Sequence, residues 1–219
     1  DGVGIAIVDA TSDADLMTMG EAFAELPLVT AGSGVAIGLP QNFRRAGLLP
    51  AEPMAPALPK IAGPAVVLSG ICSQATLAQV AAWRGSRPAY QVDAMRVARG
   101  EPVAADAAAF AREAQARGET ALIYASASPD EVRAVQQQLG RDEAGAMIER
   151  TLAEVARAMR AAGTRRFVVA GGETSGAVVQ ALDVKALRIG PQIDPGVPWT
   201  ETVERESVAL TLKSGNFGA

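Results

Sequence analysis

Short, mostly uncharged runs of residues alternate along the chain with longer segments in which apolar residues recur every three or four positions. The runs are mostly aliphatic and lie at positions 3–8, 28–30, 65–68, 89–92, 122–124, 167–170 and 186–189. Such runs are typical of buried strands, and the three-to-four spacing is typical of helices. The alternation predicts an α/β fold of three layers (α/β/α), in which helices cover both faces of a mainly parallel mixed sheet.

The predicted helices have recognisable starts and stops. Their patterns lie at 13–26, 104–117 and 141–162, and a further helix is expected to open at Pro129. Ser12, followed three residues later by Asp15, indicates an N-terminal cap for the first helix. Gly118 stands directly after the second pattern, where glycine commonly ends a helix. Towards the C-terminus, the runs 199–203 and 208–212 predict a pair of antiparallel strands.

Proline is concentrated between the second and third predicted strands. Residues 47–64 hold five of the 13 prolines in the chain, a density that disrupts both helix and sheet. We interpret this stretch as an extended surface connection rather than a domain linker, so that 1–219 form one domain. The chain opens at Asp1 without a methionine and ends after a glycine-rich turn, so both ends are expected to be cuts in a longer polypeptide.

One stretch, residues 167–176 (FVVAGGETSG), combines a predicted strand, a glycine pair and a predicted helix. The first N–H groups of a helix have no partner within it, and together with the helix dipole they favour an anion such as phosphate. Three other segments carry a similar strand and small-residue turn: 29–34, 67–73 and 212–216. Because the carboxyl ends of parallel strands share one edge, we expect the four turns to converge there. The alternative is a set of ordinary capped turns.

Composition excludes several classes of function. The 219 residues contain no histidine, which removes the usual ligand of zinc and the base of Ser-His-Asp catalysis. The net charge of −4 gives no basic surface for nucleic acid or anionic membrane. No apolar run approaches the roughly 20 residues of a bilayer span. Cys72 is the only cysteine, which excludes an internal disulfide and fits a reducing compartment, so a cytoplasmic location is expected.

Single residues near the turns allow two interpretations each. Lys213 either neutralises phosphate charge or is a solvated lysine at a strand end. Glu173 either holds a magnesium ion through water or is a carboxylate that the helix dipole favours, and we prefer the second. Trp199 is interpreted as a core residue in preference to a platform for a base. No turn matches GxxxxGK[ST], and none matches GxGxxG with a ribose-binding acid, which disfavours a nicotinamide-dependent redox enzyme.

The motifs, taken in order, resemble the C-terminal nucleotide-binding domain of the four-carbon acid sugar kinases. The similar segments cover nearly all of the chain: VDA at 8–10, DADL at 13–16, TAGSG at 30–34, LSGICS at 68–73, AGGETSG at 170–176, PGVPW at 195–199 and LKSGNFG at 212–218. Ile71 departs from the small residue, usually serine, that the family pattern has at this position.

The resemblance implies a two-domain, ATP-dependent kinase that also uses Mg²⁺. An N-terminal domain, absent here, would bind a sugar acid such as threonate, erythronate or 3-oxo-tetronate, and this chain would be inactive without it. The motif assigns the ATP contacts to Ser73, Gly171, Gly172, Glu173, Thr174 and Gly215. It assigns no catalytic residue and no metal ligand, and a homo-oligomer is a possibility. The alternative is a non-catalytic module that binds a nucleotide or a phosphorylated metabolite.

Overall fold

The computed structural model describes residues 7–51, 57, 60–70, 73–125, 137, 140–214 and 217. The chain divides into two compact units, Asp1–Ala55 and Pro56–Ala219. The division falls inside the proline-rich stretch 47–64, and the assignment of 1–219 to one domain stays a prediction. Proline lacks the backbone N–H that pairs with neighbouring elements, and boundaries between compact units fall where few contacts cross.

The first unit contains helix α1 (Asp13–Ala22), a 3₁₀ helix (Ser33–Ile37) and helix α2 (Pro40–Arg45). The predicted cap of α1 is present. The Ser12 Oγ accepts from the Asp15 N–H at 3.3 Å, and the Asp15 carboxylate accepts from the Ser12 N–H at 2.9 Å. The helix ends at Ala22, four residues before the predicted end.

Two strands predicted in the first unit are not strands among the residues that the structure describes there. Residues 28–30 have no regular structure, and Leu28 is exposed. Positions 3–6 of the run 3–8 lie outside the described residues, whereas Ile7 and Val8 are exposed and have no strand conformation. A strand requires a neighbour for its backbone N–H and C=O groups, and residues 7, 8 and 28–30 pair with no strand in the part of the chain that the structure describes.

The second unit is built on one mixed sheet. Its strands are β1 (Ala65–Ser69), β2 (Ala89–Gln91), β3 (Ala121–Tyr124), β4 (Arg166–Ala170), β5 (Leu187–Asp194), β6 (Val197–Thr202) and β7 (Ala209–Lys213). They lie in the order β2-β3-β1-β4-β7-β6-β5. The pairs from β2 to β7 are parallel, whereas β6 is antiparallel to β7 and to β5. This confirms the mainly parallel sheet with antiparallel C-terminal strands.

Five helices of this unit lie in the described ranges: α3 (Gln74–Arg84), α4 (Ala94–Ala98), α5 (Val103–Ala116), α6 (Arg141–Ala161) and α7 (Gly172–Ala181). The boundaries of α5 and α6 agree with the sequence patterns to within one residue. The helix expected at Pro129 lies outside the described residues. No described helix is both long enough and apolar enough to cross a bilayer.

Helices cover both faces of the sheet because side chains alternate along each strand. Phe167 and Val169 of β4 belong to a core cluster that includes Ala107 of α5, Leu152 of α6 and Val178 of α7. On the opposite face, Val80 of α3 packs with Leu122 and Tyr124 of β3. The predicted three-layer arrangement is therefore confirmed.

The edge strand β5 is longer than the predicted run 186–189. It continues to Asp194 and pairs with β6 through a turn at Pro195 and Gly196, where Gly196 has φ +75°. Pro191 lies inside this strand, a position that an edge strand with register shifts tolerates.

Candidate functional site

Strands β1, β4 and β7 end side by side at one edge of the sheet. Ser69 of β1 is in register with Ala170 of β4, which is in register with Lys213 of β7. The turns that follow these strands therefore start at the same level. Three of the four predicted turns, at 67–73, 167–176 and 212–216, begin at this edge, although the last continues beyond the described residues.

The fourth predicted turn does not follow a strand of this sheet. Residues 29–34 lie in the first unit and are not preceded by a strand; Gly32 precedes the 3₁₀ helix instead. The predicted strand at this point is wrong, whereas a short helix does follow the small residues. The small residues match those of the other turns, but no strand among the described residues pairs with this segment.

Backbone hydrogen bonds connect the three turns at the edge. The Gly70 N–H donates to the Ala170 carbonyl at 3.2 Å, and the Gly171 N–H donates to the Lys213 carbonyl at 2.8 Å. The first residue after β1 and the first residue after β4 are thus each fixed to the end of the next strand. This pairing holds the starts of the turns close together.

The turn between β4 and α7 exposes the start of a helix. Gly171 has φ 128° and ψ 130°, a backbone conformation that residues with a Cβ rarely adopt. Helix α7 begins at Gly172, and no side chain of the described residues caps it. The N–H groups of Gly172, Glu173 and Thr174 have no acceptor within the helix, which is the arrangement that favours an anion at a helix N-terminus.

A close contact between two turns depends on the absence of a side chain at Gly70. A Cβ at this position would lie 2.2 Å from the Thr174 Oγ1 and 3.2 Å from the Leu152 Cδ1. Thr174 is buried. The turn after β1 therefore lies directly against the first turn of α7.

Ser73 caps a second helix that starts after β1. Its Oγ accepts from the Thr76 N–H at 3.3 Å and lies 3.0 Å from the Thr76 Oγ1. Helix α3 begins at Gln74, so two helix N-termini follow adjacent strands. Positions 71 and 72, which include Ile71 and Cys72, lie outside the described residues.

Lys213 is buried beside the start of α3. Only 8% of the residue is exposed, and its Nζ donates to the Thr76 Oγ1 at 3.0 Å and to the Ser214 carbonyl at 3.3 Å. Burial lowers the pKa of the ammonium group below its ordinary value. The interpretation of Lys213 as a solvated lysine is therefore wrong.

Two carboxyl groups lie together at the start of α7. Burial raises the pKa of Glu149 on α6, and the neighbouring Glu173 raises it further through charge repulsion and a hydrogen bond. Within the described ranges, no group of three or more Asp, Glu or Cys residues is placed to hold a metal ion. Glu149 was not anticipated from the sequence, because nothing in the pattern of α6 links it to the distant glycine pair.

The structure brings five of the six predicted ATP contacts to one edge of the sheet: Ser73, Gly171, Gly172, Glu173 and Thr174. Gly215 lies outside the described residues, although Lys213 and Ser214 directly before it are at the same edge. The structure also adds Thr76, through its contact with Lys213, to the residues of this edge. The binding roles themselves stay predictions.

Residues 66–219 match the family described as the nucleotide-binding C-terminal domain. The chain belongs to this family. The match begins in β1 and extends over the whole sheet of the second unit and the three turns at its edge. The resemblance predicted from the sequence is confirmed for this nucleotide-binding domain.

Several relatives that are similar to this chain are named 3-oxo-tetronate kinase. Over 219 residues the chain is 62% identical to the 3-oxo-tetronate kinase of Burkholderia multivorans and 61% identical to that of Cupriavidus necator. The alignments include 100% of this chain but 51% and 50% of those proteins. The chain thus spans about half the length of the curated relatives it matches.

Solved structures of similar proteins share the fold. The chain is 37% identical to Haemophilus influenzae protein HI1011, with a TM-score of 0.73 over 97% of this chain and 50% of that one. It is 40% identical to a Salmonella typhimurium protein solved as a candidate tRNA synthase, with a TM-score of 0.77 over 96% of this chain and 49% of that one.

Proposed function

We propose that the chain is the ATP-binding part of a longer kinase that phosphorylates a four-carbon sugar acid. The observation that carries the proposal is the edge where the turns after β1, β4 and β7 meet, with two helix N-termini and a buried lysine. Among threonate, erythronate and 3-oxo-tetronate, the name shared by the relatives supports 3-oxo-tetronate.

The residues at this edge fit the phosphates of ATP. The N–H groups at Gly172, Glu173 and Thr174, which have no acceptor within the helix, would donate to phosphate oxygens, and the glycine at 171 would let the backbone come close to them. Ser73 and Gly215 are the other proposed contacts. Fixed donors of this kind hold and orient the phosphates, which is the main contribution that proteins make to phosphoryl transfer.

Magnesium is the second proposed cofactor. Mg²⁺ keeps several waters and usually binds through substrate phosphates and one or two carboxylates, so a large cluster of acidic side chains is not required. Glu173, in the first turn of α7, is the carboxylate that would contact the ion through water, which is the less favoured of the two roles considered for it from the sequence. The ion would offset charge on the phosphates.

The rest of the longer protein would bind the sugar acid. The exposed apolar side chains of the first unit, including Leu28 at 78% and Leu48 at 72% exposure, support a surface that packs against this absent part. We therefore expect the chain to be inactive alone. The cytoplasmic location and the homo-oligomer stay predictions.

The proposal is tested on the full-length protein by calorimetry with ATP and magnesium and by ADP release with each of the three sugar acids. We expect ATP to bind and at least one acid, with 3-oxo-tetronate first among them, to be phosphorylated. Binding without phosphorylation of any acid would support the non-catalytic module instead. The absence of ATP binding would refute the kinase proposal.

A pair of matched variants locates the binding. Gly172 and Gly176 are exposed, lie one turn apart on α7, and have nothing within 4 Å of an added Cβ. Gly172→Asp places a negative charge at the proposed phosphate position, where unit charges 4 Å apart repel by about 4 kcal/mol near a protein surface. We expect ATP affinity to fall at least about tenfold, and to fall less in Gly176→Asp. An equal loss of ATP affinity in the two variants would contradict the placement of the phosphates at the start of α7.

A further inference from the structure

The sheet face that packs against α3 carries a buried hydroxyl group that has no hydrogen-bond partner in the part of the chain that the structure describes. Ser69 is 2% exposed, and its Oγ has no hydrogen-bond partner among the described residues. Buried polar groups are nearly always paired, so each exception calls for an explanation such as a bound ligand or water. Ser69 is the last residue of β1, at the edge where the turns meet.

Register places this hydroxyl on the same face as the buried lysine. Ser69, Ala170 and Lys213 are successive partners across β1, β4 and β7, and residues in register share a face of the sheet. The small side chain of Ala170 separates the two polar ones. The outermost row of this face therefore has a hydroxyl on one side, a cation on the other and a methyl group between them.

The ammonium of Lys213 extends towards the helix that covers this face. Its contact with the Thr76 Oγ1 at 3.0 Å puts the Nζ between β7 and α3, beside the N-terminus that Ser73 caps. Burial disfavours the charged form of Lys213, and an anion placed against it would offset this effect. A cation, a hydroxyl donor and a helix N-terminus together suit a highly charged anion.

The edge offers more anion-binding groups than one phosphate requires. The start of α7 supplies one set of donors, and Lys213, Ser69 and the start of α3 supply another on the adjacent strands. We propose that Lys213 and Ser69 bind the terminal phosphates of the nucleotide, so that this second set selects ATP and ADP over AMP. This inference rests on the proposed function, because it assigns part of the same site.

The test compares ATP, ADP and AMP by calorimetry on the full-length protein. A hydrogen bond to a charged group corresponds to a loss of about 10- to 150-fold when it is removed. We expect Lys213→Met to lower the affinity for ATP and ADP by such a factor, and the affinity for AMP by less than about threefold. Ser69→Ala should lower the affinity for ATP about 3- to 10-fold. The control is Lys185→Met, which removes an exposed lysine paired with Asp183 and should leave all affinities within about twofold.

The possible results separate this inference from the proposed function. If the unchanged protein binds no nucleotide, the proposed function fails first. The inference is overturned if the unchanged protein binds ATP and Lys213→Met binds it equally well. It is also overturned if Lys213→Met lowers the affinity for AMP by as large a factor as the affinity for ATP. Thermal unfolding checks that the variants fold. Should Lys213→Met not fold, the ATP affinity of Ser69→Ala tests the inference instead. This variant should fold, because it removes a hydroxyl that has no partner among the described residues. Unchanged ATP affinity in Ser69→Ala overturns the inference.

Discussion

The contact between the turn after β1 and the start of α7 predicts the effect of one added methyl group. Gly70→Ala would place a Cβ 2.2 Å from the Thr174 Oγ1 and 3.3 Å from the Thr174 Cβ. Thr174 is 2% exposed and branched at Cβ, so its side chain has little freedom to rotate away. The first turn of α7 must therefore shift, or the turn after β1 must.

Overpacking of this kind costs about 1–3 kcal/mol of unfolding free energy. For a chain of this size, 1 kcal/mol corresponds to about 2–4 °C in Tm, so we expect Gly70→Ala to lower Tm by about 2–12 °C. The measurement is thermal unfolding followed by circular dichroism, without nucleotide, since a ligand would raise Tm by mass action.

Two further variants isolate the cause. Gly172→Ala adds the same methyl group where nothing lies within 4 Å, and it should leave Tm unchanged or raise it slightly. Thr174→Ala removes the atom that clashes. The double variant Gly70→Ala/Thr174→Ala should therefore lose about 1 kcal/mol or more less unfolding free energy than the two single variants lose when their losses are added. A Tm for Gly70→Ala within about 1 °C of the unchanged protein, or strict additivity in the double variant, would refute the reasoning.

Three other predictions concern stability away from this contact. Gln115→Ala removes an amide that donates to the Ala65 carbonyl at 3.0 Å, and it should lower the unfolding free energy in urea by about 1–3 kcal/mol; an unchanged midpoint would argue against this. The pKa of Glu149 is raised by burial and then by Glu173, so its ionisation disfavours the folded state and stability should fall as pH rises through its titration. Urea unfolding of Glu149→Gln across that range should show a weaker pH dependence, and an unaltered profile would contradict the assignment. Ser12→Ala removes the cap of α1 and should cost that helix about 0.5–2 kcal/mol, visible as faster amide exchange in α1 alone.

Much of the fold could be predicted because the spacing of apolar residues along the sequence indicates which side chains are buried. The strand β4 and helix α6 have unambiguous patterns, and the structure confirms both. The same reasoning failed at 28–30, which pair with no strand among the residues that the structure describes, and at β5, where the strand continues through Pro191 beyond the predicted end at 189. Both failures arise because strand formation depends on neighbours that are distant in sequence.

The site could be predicted in part for a similar reason. Turns after parallel strands share an edge, so the joining of the turns at Gly70 and Gly171 followed from the fold class. The contact of Lys213 with Thr76 spans 137 positions in sequence, and it depends on β7 lying next to β4. Strand order is a tertiary property that local patterns do not encode. The burial of Lys213 therefore appeared only in the structure.

The most direct test of the account is a crystal structure of the full-length protein with magnesium and a non-hydrolysable ATP analogue. We predict that phosphate oxygens lie within hydrogen-bond distance of the N–H groups at Gly172, Glu173 and Thr174. A nucleotide bound at the opposite end of the sheet, for example in the cavity of about 250 Å³ lined by Arg87 and Glu119, would contradict the central claim.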